Sequence, residues 1–234
     1  MYFMRGNHCM SKIGSDILKR KHVKSHKGEL LPPSIQKTTI DFVKKLEKSG
    51  IRYLIVGAVP VQFYGRERFS RDVDIALFLD QTNIKFLFKI LKSERYRVLY
   101  PLSQEHKIEK PENLLDWHLL KLKDLKYEGT LDIHLKPERL GLDKASLDSS
   151  KTVELGRTKI IIPAPEDYLI TKLISRRPST HDFEDIMSTL LNQYQVIDWK
   201  YLEDKAKELS ILHLLNYYKE AVERKYGDEK HNEK

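Results

Sequence analysis

"VGAVPVQFYGRERFSRDVDIALFL", Val56 to Leu79, is the stretch that decides how this chain reads. It ends in a strand-like run in which Asp72 and Asp74 alternate with Val73 and Ile75. Side chains alternate across a strand, so the two acids share one face while the apolar pair faces a core. An ionised carboxylate in apolar surroundings costs several kcal/mol unless something pairs with it, and two on one face repel each other. A hard cation between them resolves the conflict. Mg²⁺ suits two such oxygens together with substrate phosphates.

Upstream, "IRYLIVG" reads as a short buried strand that runs through Gly57 and Ala58 into "AVPVQFYG". Pro60 near the first turn of that stretch and Gly65 at its end suit one or two helical turns. Backbone N–H groups at such a junction face any anion placed there. Downstream, Asp132 in "GTLDIHL" has the same alternation of apolar neighbours. If its strand lies beside the one carrying Asp72 and Asp74, three carboxylates meet at one point. That is a geometry for two metal ions, one lowering the pKa of an attacking hydroxyl and one neutralising phosphates and leaving group.

Outward from this centre, "PPSIQKTTIDFVKKLEKSG" has helical spacing in Ile35, Ile40, Phe42, Val43 and Leu46, with prolines before it and Gly50 after it. "TNIKFLFKILKSE" is an amphipathic helix. "YRVLYPL", "DWHLLKLKD" and "YEGTLDIHL" are strands, the last two a hairpin turned at Leu125–Lys126, and "TKIIIP" is one more. From Pro165 onward the pattern is helical only, in four segments. The chain is therefore expected to be α+β: a mixed sheet with flanking helices, followed by a C-terminal helical bundle. Its expected divisions are a basic, flexible arm over residues 1–30, an α/β domain over 31–163, a helical region over 164–226 and a frayed tail over 227–234.

With 234 residues and 40% apolar content, the chain can bury one sizeable core and a smaller helical appendage. Its longest apolar runs fall short of the roughly 18–20 residues of a membrane span, and "MYFMRGNHCM" lacks the apolar centre of a signal peptide. The expectation is a cytoplasmic protein with no membrane partner. Cys9 is the single cysteine, which excludes an internal disulfide and a cysteine-built metal site. The formal charge is +8, and residues 1–48 carry 11 Lys/Arg against 4 Asp/Glu, a net +7. The excess is thus a feature of the N-terminal segment, read either as a solvated tail or as a tether to RNA or another polyanion.

The run "VGAVPVQFYGRERFSRDVDIAL" resembles the nucleotidyltransferase superfamily of the polymerase-beta type, whose pattern is a hydrophobic strand, Gly-Gly or Gly-Ser, a short helix and Asp-x-Asp. Within it the chain is most similar to the small stand-alone AbiEii-like members. Gly65, Arg68, Ser70, Asp72 and Asp74 hold the places of that group's Gly, Arg, Thr and Asp-x-Asp, with Ser for Thr. The likeness covers Ile51 to Leu135 and extends more thinly over "PAPEDYLITKLISRRPSTHDFEDI", up to Ile186. One departure is Ala58, where the family has Gly or Ser. Alanine keeps its N–H and adds a methyl, so weakened phosphate binding is expected.

The resemblance implies a nucleotidyltransferase-like fold and an enzyme that uses Mg²⁺, two ions, to move an NMP from an NTP to a hydroxyl acceptor: an RNA or tRNA end, a protein or a small molecule. Asp72, Asp74 and Asp132 would bind the metals, and Asp132 would help deprotonate the acceptor. Gly57, Ala58, Arg68 and Ser70 would hold the nucleotide. Lys172 either reaches its phosphates or is a solvated lysine. Asp182 and Asp185 are read as capping and holding the helix that begins at Thr180, Arg66 and Arg71 as surface residues, and His118 and His134 as structural. The rival reading is a catalytically weak nucleotide- or RNA-binding module, or a toxin–antitoxin component with a cognate antitoxin protein as partner.

Overall fold

The structure is a computed structural model that describes residues 31–100, 108–175 and 179–232, with side chains described through residue 224. The expected basic arm, residues 1–30, lies outside the described residues. The first described helix, α1 (Pro33–Lys48), starts with proline at its first position and buries Ile35, Phe42, Val43 and Leu46 on one side. Lys45 and Lys48 close its last turn, where the helix dipole favours cations. Gly50, at φ +67, then turns the chain into β1 (Arg52–Val56).

The remaining elements of the sheet region follow the expected order: α2 (Ala58–Tyr64), β2 (Val73–Phe78), α3 (Ile84–Leu91), β3 (Tyr96–Tyr100), β4 (Leu119–Asp124) and β5 (Thr130–His134). They form a five-stranded sheet in the order β1-β2-β5-β4-β3. β2 and β5 run parallel, and the other neighbours are antiparallel. The strands alternate as their sequences require. Tyr53, Ile55, Ile75, Leu77, Leu131 and Ile133 face the main core with Phe42, Leu46 and Leu87. Leu54, Val56 and Ala76 face the other way and pack with Leu142. The acids share this second face, which is only partly covered.

Two short 3₁₀ helices (Pro111–Asp116 and Pro137–Leu140), a short α-helix and a strand escaped the sequence. α4 (Lys144–Asp148) and β6 (Lys151–Leu155) precede β7 (Thr158–Ile162), and β6 and β7 form their own two-stranded sheet. "TKIIIP" reads as a strand, but its partner "KTVEL" is largely exposed, with only Val153 and Leu155 alternating toward the core, too short a pattern to announce it. Gly156, at φ +63, makes the turn between them. α5 (Pro165–Leu173), α6 (Thr180–Gln193), α7 (Trp199–Glu208) and α8 (Leu212–Asn232) then supply the expected four helices. They have a core of their own, including Leu169, Leu173, Ile186, Leu190, Leu202, Leu215 and Val222. Among the described residues no helix is long and apolar enough to cross a membrane.

Candidate active site

The expected pairing is present: β2 and β5 are neighbours, with Asp74 opposite Asp132. On the outer side of each strand the row continues, Val56 opposite Asp74 and Lys121 opposite Asp132. Val56, Asp74, Asp132 and Lys121 therefore form one line across four strands. Asp72 stands one residue before β2 begins. Its flanking residue Val73 is buried, as is Ile75, and both acids are partly exposed on the open face.

Gly57 leads from β1 into α2 at φ +68 and ψ −125. The bare Cα is required twice, by that backbone conformation and because a Cβ would lie 2.1 Å from Asp74 Oδ2. Ala58 opens α2 with no side chain capping the turn. On its other carboxylate oxygen Asp74 meets His134, whose Nε2 lies 3.1 Å from Oδ1. His134 was read as merely structural. In fact it holds one of the two acids, because its position on β5 is two residues from Asp132 and so on the same face.

Lys121 is the residue that sequence reasoning missed. Its ammonium lies 3.4 Å from Asp72 Oδ2 and 3.1 Å from Asp132 Oδ1. The signal was the alternation in "LLKLKD", where Lys121 sits between the buried Leu120 and Leu122 as Asp132 sits between Leu131 and Ile133. Its register was not legible, because the hairpin connection runs past Leu125–Lys126 through Glu128, at φ +64, to a bond from the Asp124 amide to the Gly129 carbonyl. Burial pulls the Lys121 ammonium down, but its bond to Asp132 and the charges of Asp132 and Asp72 leave it raised. Burial pushes Asp132 above the usual carboxylate range. Lys121 opposes that, and the charges of Asp74 and Asp72 add to it.

Lys121 brings to Asp72 and Asp132 a protein cation that the sequence reading did not include. Among the described residues no group of three or more His, Cys, Asp or Glu side chains stands ready to hold a metal. The donor set nonetheless fits a hard divalent ion. All three acids offer oxygen, and Asp132 Oδ1 is buried with its ammonium contact outside hydrogen-bond geometry.

These residues open on a cleft of about 860 Å³, lined by Gly57, Ala58, Arg68, Ser70, Asp72, Asp74 and Lys172 among others. Neither Asp132 nor Lys121 is among the lining residues; the two stand side by side next to Asp74 on the neighbouring strands. Ser70, itself buried, donates from Oγ to Asp72 Oδ1 at 3.3 Å. Lys172 reaches in from α5 and is neither solvated nor free: it is buried, 2.9 Å from Asp182 Oδ1 and 3.0 Å from Asp185 Oδ2. Arg68 also binds Asp185 Oδ2.

Ser179 is the N-cap of α6, and Asp182, three residues on, closes the capping box by accepting from the Ser179 amide. Burial raises its carboxyl, but Ser179 and Lys172 together hold it below the usual range. Asp185 does something else. It is fully buried and gathers Arg66, Arg68 and Lys172 around one carboxylate. Arg66, expected at the surface, is drawn in by Asp185 at 2.9 Å and Glu184 at 2.8 Å. The segment leading to Asp72 is thereby tied to the helical region, an arrangement that no local pattern announces. His118, Lys136 and Arg139 also line the cleft. Burial lowers His118, and the charges of Arg139, His134 and Lys136 lower it further.

No protein-family model matches the chain, and no curated protein matches it. Solved structures similar to it include an antigenic nucleotidyltransferase-like protein from Paracoccidioides brasiliensis, 21% identical, covering 77% of this chain and 92% of that one at a TM-score of 0.48. A second is the lincosamide antibiotic adenylyltransferase LnuA with lincomycin bound, 19% identical, covering 65% of this chain and 94% of that one at a TM-score of 0.43. A third is the antibiotic-resistance factor ANT(2'')-Ia, 12% identical, covering 82% of this chain and 99% of that one at a TM-score of 0.42.

Proposed function

We propose that the chain is a nucleotidyltransferase that moves an NMP from an NTP to a hydroxyl acceptor. The observation that carries this reading is the parallel pairing of β2 with β5, which sets Asp132 beside Asp74, with Asp72 two residues ahead, at the edge of a cleft of nucleotide size. Asp72, Asp74 and Asp132 would hold Mg²⁺, which when bound neutralises phosphate charge and makes the acceptor hydroxyl easier to deprotonate. Asp132 takes the acceptor proton on a carboxylate oxygen. The acceptor oxygen bonds to the α-phosphorus while the bond from that phosphorus to its bridging oxygen breaks, and pyrophosphate leaves.

Gly57 allows the nucleotide close to the strand end, and Ala58 offers its N–H. Ser70 orients Asp72. Arg68 and Lys172 keep their charge in the cleft while Asp182 and Asp185 hold them still, so they orient phosphates at little cost in side-chain order. The test is to incubate the protein with each α-labelled NTP and Mg²⁺, offering total RNA, protein and small-molecule acceptors in turn. Transfer of label with release of pyrophosphate, lost in Asp74→Asn, is expected. No transfer to any acceptor and no NTP binding would overturn the reading. A second reading, a nucleotide-binding module without transfer, is favoured by Ala58 and by the ammonium already seated among the acids. It would show as NTP binding with no label moved.

A further inference from the structure

We propose that Lys121 is a built-in counter-cation of this site, filling the space between Asp72 and Asp132 so that the three carboxylates take one divalent ion rather than two. The inference rests on the nucleotidyltransferase reading and narrows it. Register puts Lys121 on the same face as the acids and beside Asp132. It is the cross-strand partner of Asp132, and Leu120 and Leu122 on either side are fully buried, which fixes the strand that carries it. From that anchor the ammonium contacts both carboxylates, at 3.1 Å and 3.4 Å.

Charge points the same way. Three carboxylates carry −3 and Lys121 returns +1, so the protein offers a net −2, which a single divalent ion balances. A second ion seated between Asp72 and Asp132 would stand within a few ångströms of an ammonium, where the like charges repel, and more strongly at a protein surface than in bulk water. The remaining oxygens are those of Asp74, whose other neighbour is the imidazole of His134. A single ion bound from the Asp74 side leaves Lys121 in place.

The test compares wild type with Lys121→Met, which keeps the stem and removes the charge. Mn²⁺ binding is counted by electron paramagnetic resonance in the presence of a non-hydrolysable NTP analogue, and thermal stability is read in EDTA. We expect one Mn²⁺ per wild-type chain beyond that bound by the free analogue. Lys121→Met should bind a second, or bind the first at least about tenfold tighter. In EDTA, Lys121→Met should melt below wild type, and adding Asp132→Asn should restore part of the loss. If Lys121→Met does not fold, Lys121→Gln, which keeps hydrogen-bond donors without charge, serves in its place. Equal Mn²⁺ count and affinity in wild type and variant would overturn the inference and leave the proposed function standing. So would an unchanged Mn²⁺ count with weakened analogue binding, which would make Lys121 a phosphate contact. Absence of Mn²⁺ binding by both proteins, with or without the analogue, would overturn the metal-dependent function and the inference together.

Discussion

A methyl group on Gly57 would lie 2.1 Å from Asp74 Oδ2, so the end of β1 and the acid on β2 are packed too closely for any side chain between them. The same residue holds a backbone conformation, φ +68 with ψ −125, that non-glycine residues pay about 1–3 kcal/mol to adopt. Gly57→Ala should therefore lose more stability than Gly50→Ala, whose φ of +67 is similar but whose added methyl would meet nothing within 4 Å. It should also lose transfer activity, because Asp74 must move to make room. Melting curves of the two variants decide it. Equal losses would mean that Asp74 yields freely and that the close approach has no consequence.

Asp185 has no exposed surface and holds Arg66, Arg68 and Lys172. Removing one partner of a buried ion pair leaves the others uncompensated and typically costs about 3–5 kcal/mol. Asp185→Asn should lower the melting temperature by roughly 6–20 °C for a chain of this size. Asp204→Asn, which breaks only the exposed pair with Lys200, should shift it by about 2 °C or less. A small loss at Asp185 would mean that water reaches its cations and that the segment before Asp72 is held by packing alone.

Most of the fold was legible because its signals are local. The alternation in "RDVDIAL" and "GTLDIHL" put Asp74 and Asp132 on open faces, and the helical spacing from Pro165 onward announced four helices. What escaped depends on contacts between distant segments. Lys121 faces Asp132 only because the hairpin loop is longer than two residues. Arg66 is drawn inward only because α6, more than a hundred positions later, brings a buried carboxylate to it. β6 carries only two apolar residues, Val153 and Leu155, on its inner face, and its remaining order comes from pairing with β7. Charge partners across such separations are fixed by tertiary packing, which a spacing argument does not reach.

Two carboxylates on one face repel each other, so taken alone they would gain from the neutralisation of either. Lys121 beside Asp72 and His134 beside Asp74 remove that gain, since each acid already has a partner. The Asp72 pair is about a third exposed on both sides, where ion pairs contribute about 0–1 kcal/mol. Asp72→Asn should therefore leave the melting temperature within about 3 °C of wild type while abolishing label transfer. A variant that melts far lower would make Asp72 a structural residue, and one that transfers label at the wild-type rate would remove it from the site.

The response to pH should carry two opposite signs. Asp124 is fully buried and accepts bonds from Arg95 at 3.1 Å and 2.9 Å, from Thr38 at 3.1 Å and from the Lys126 amide at 2.9 Å. Burial raises its carboxyl, and these donors more than offset that, leaving it below the ordinary value of 3.8. The unfolded chain then binds the proton more readily than the folded one. The stabilisation from Asp124 is complete above 3.8 and is lost as pH falls through its depressed value. Asp132 is raised, so the folded chain binds that proton more readily, and its contribution is full below 3.8 and lost as pH rises through the raised value. Asp41 and Asp182 are lowered like Asp124, so the protein as a whole should melt earlier in acid. In EDTA, wild type should lose melting temperature as pH falls from about 4 to about 2, and Asp124→Asn should start lower and fall less over that range. Asp132→Asn should gain relative to wild type at about pH 7 and lose that advantage at about pH 3. If Asp132→Asn instead tracked wild type in parallel across the range, Lys121 would be fully offsetting the burial of Asp132, and its carboxyl would not be raised at all.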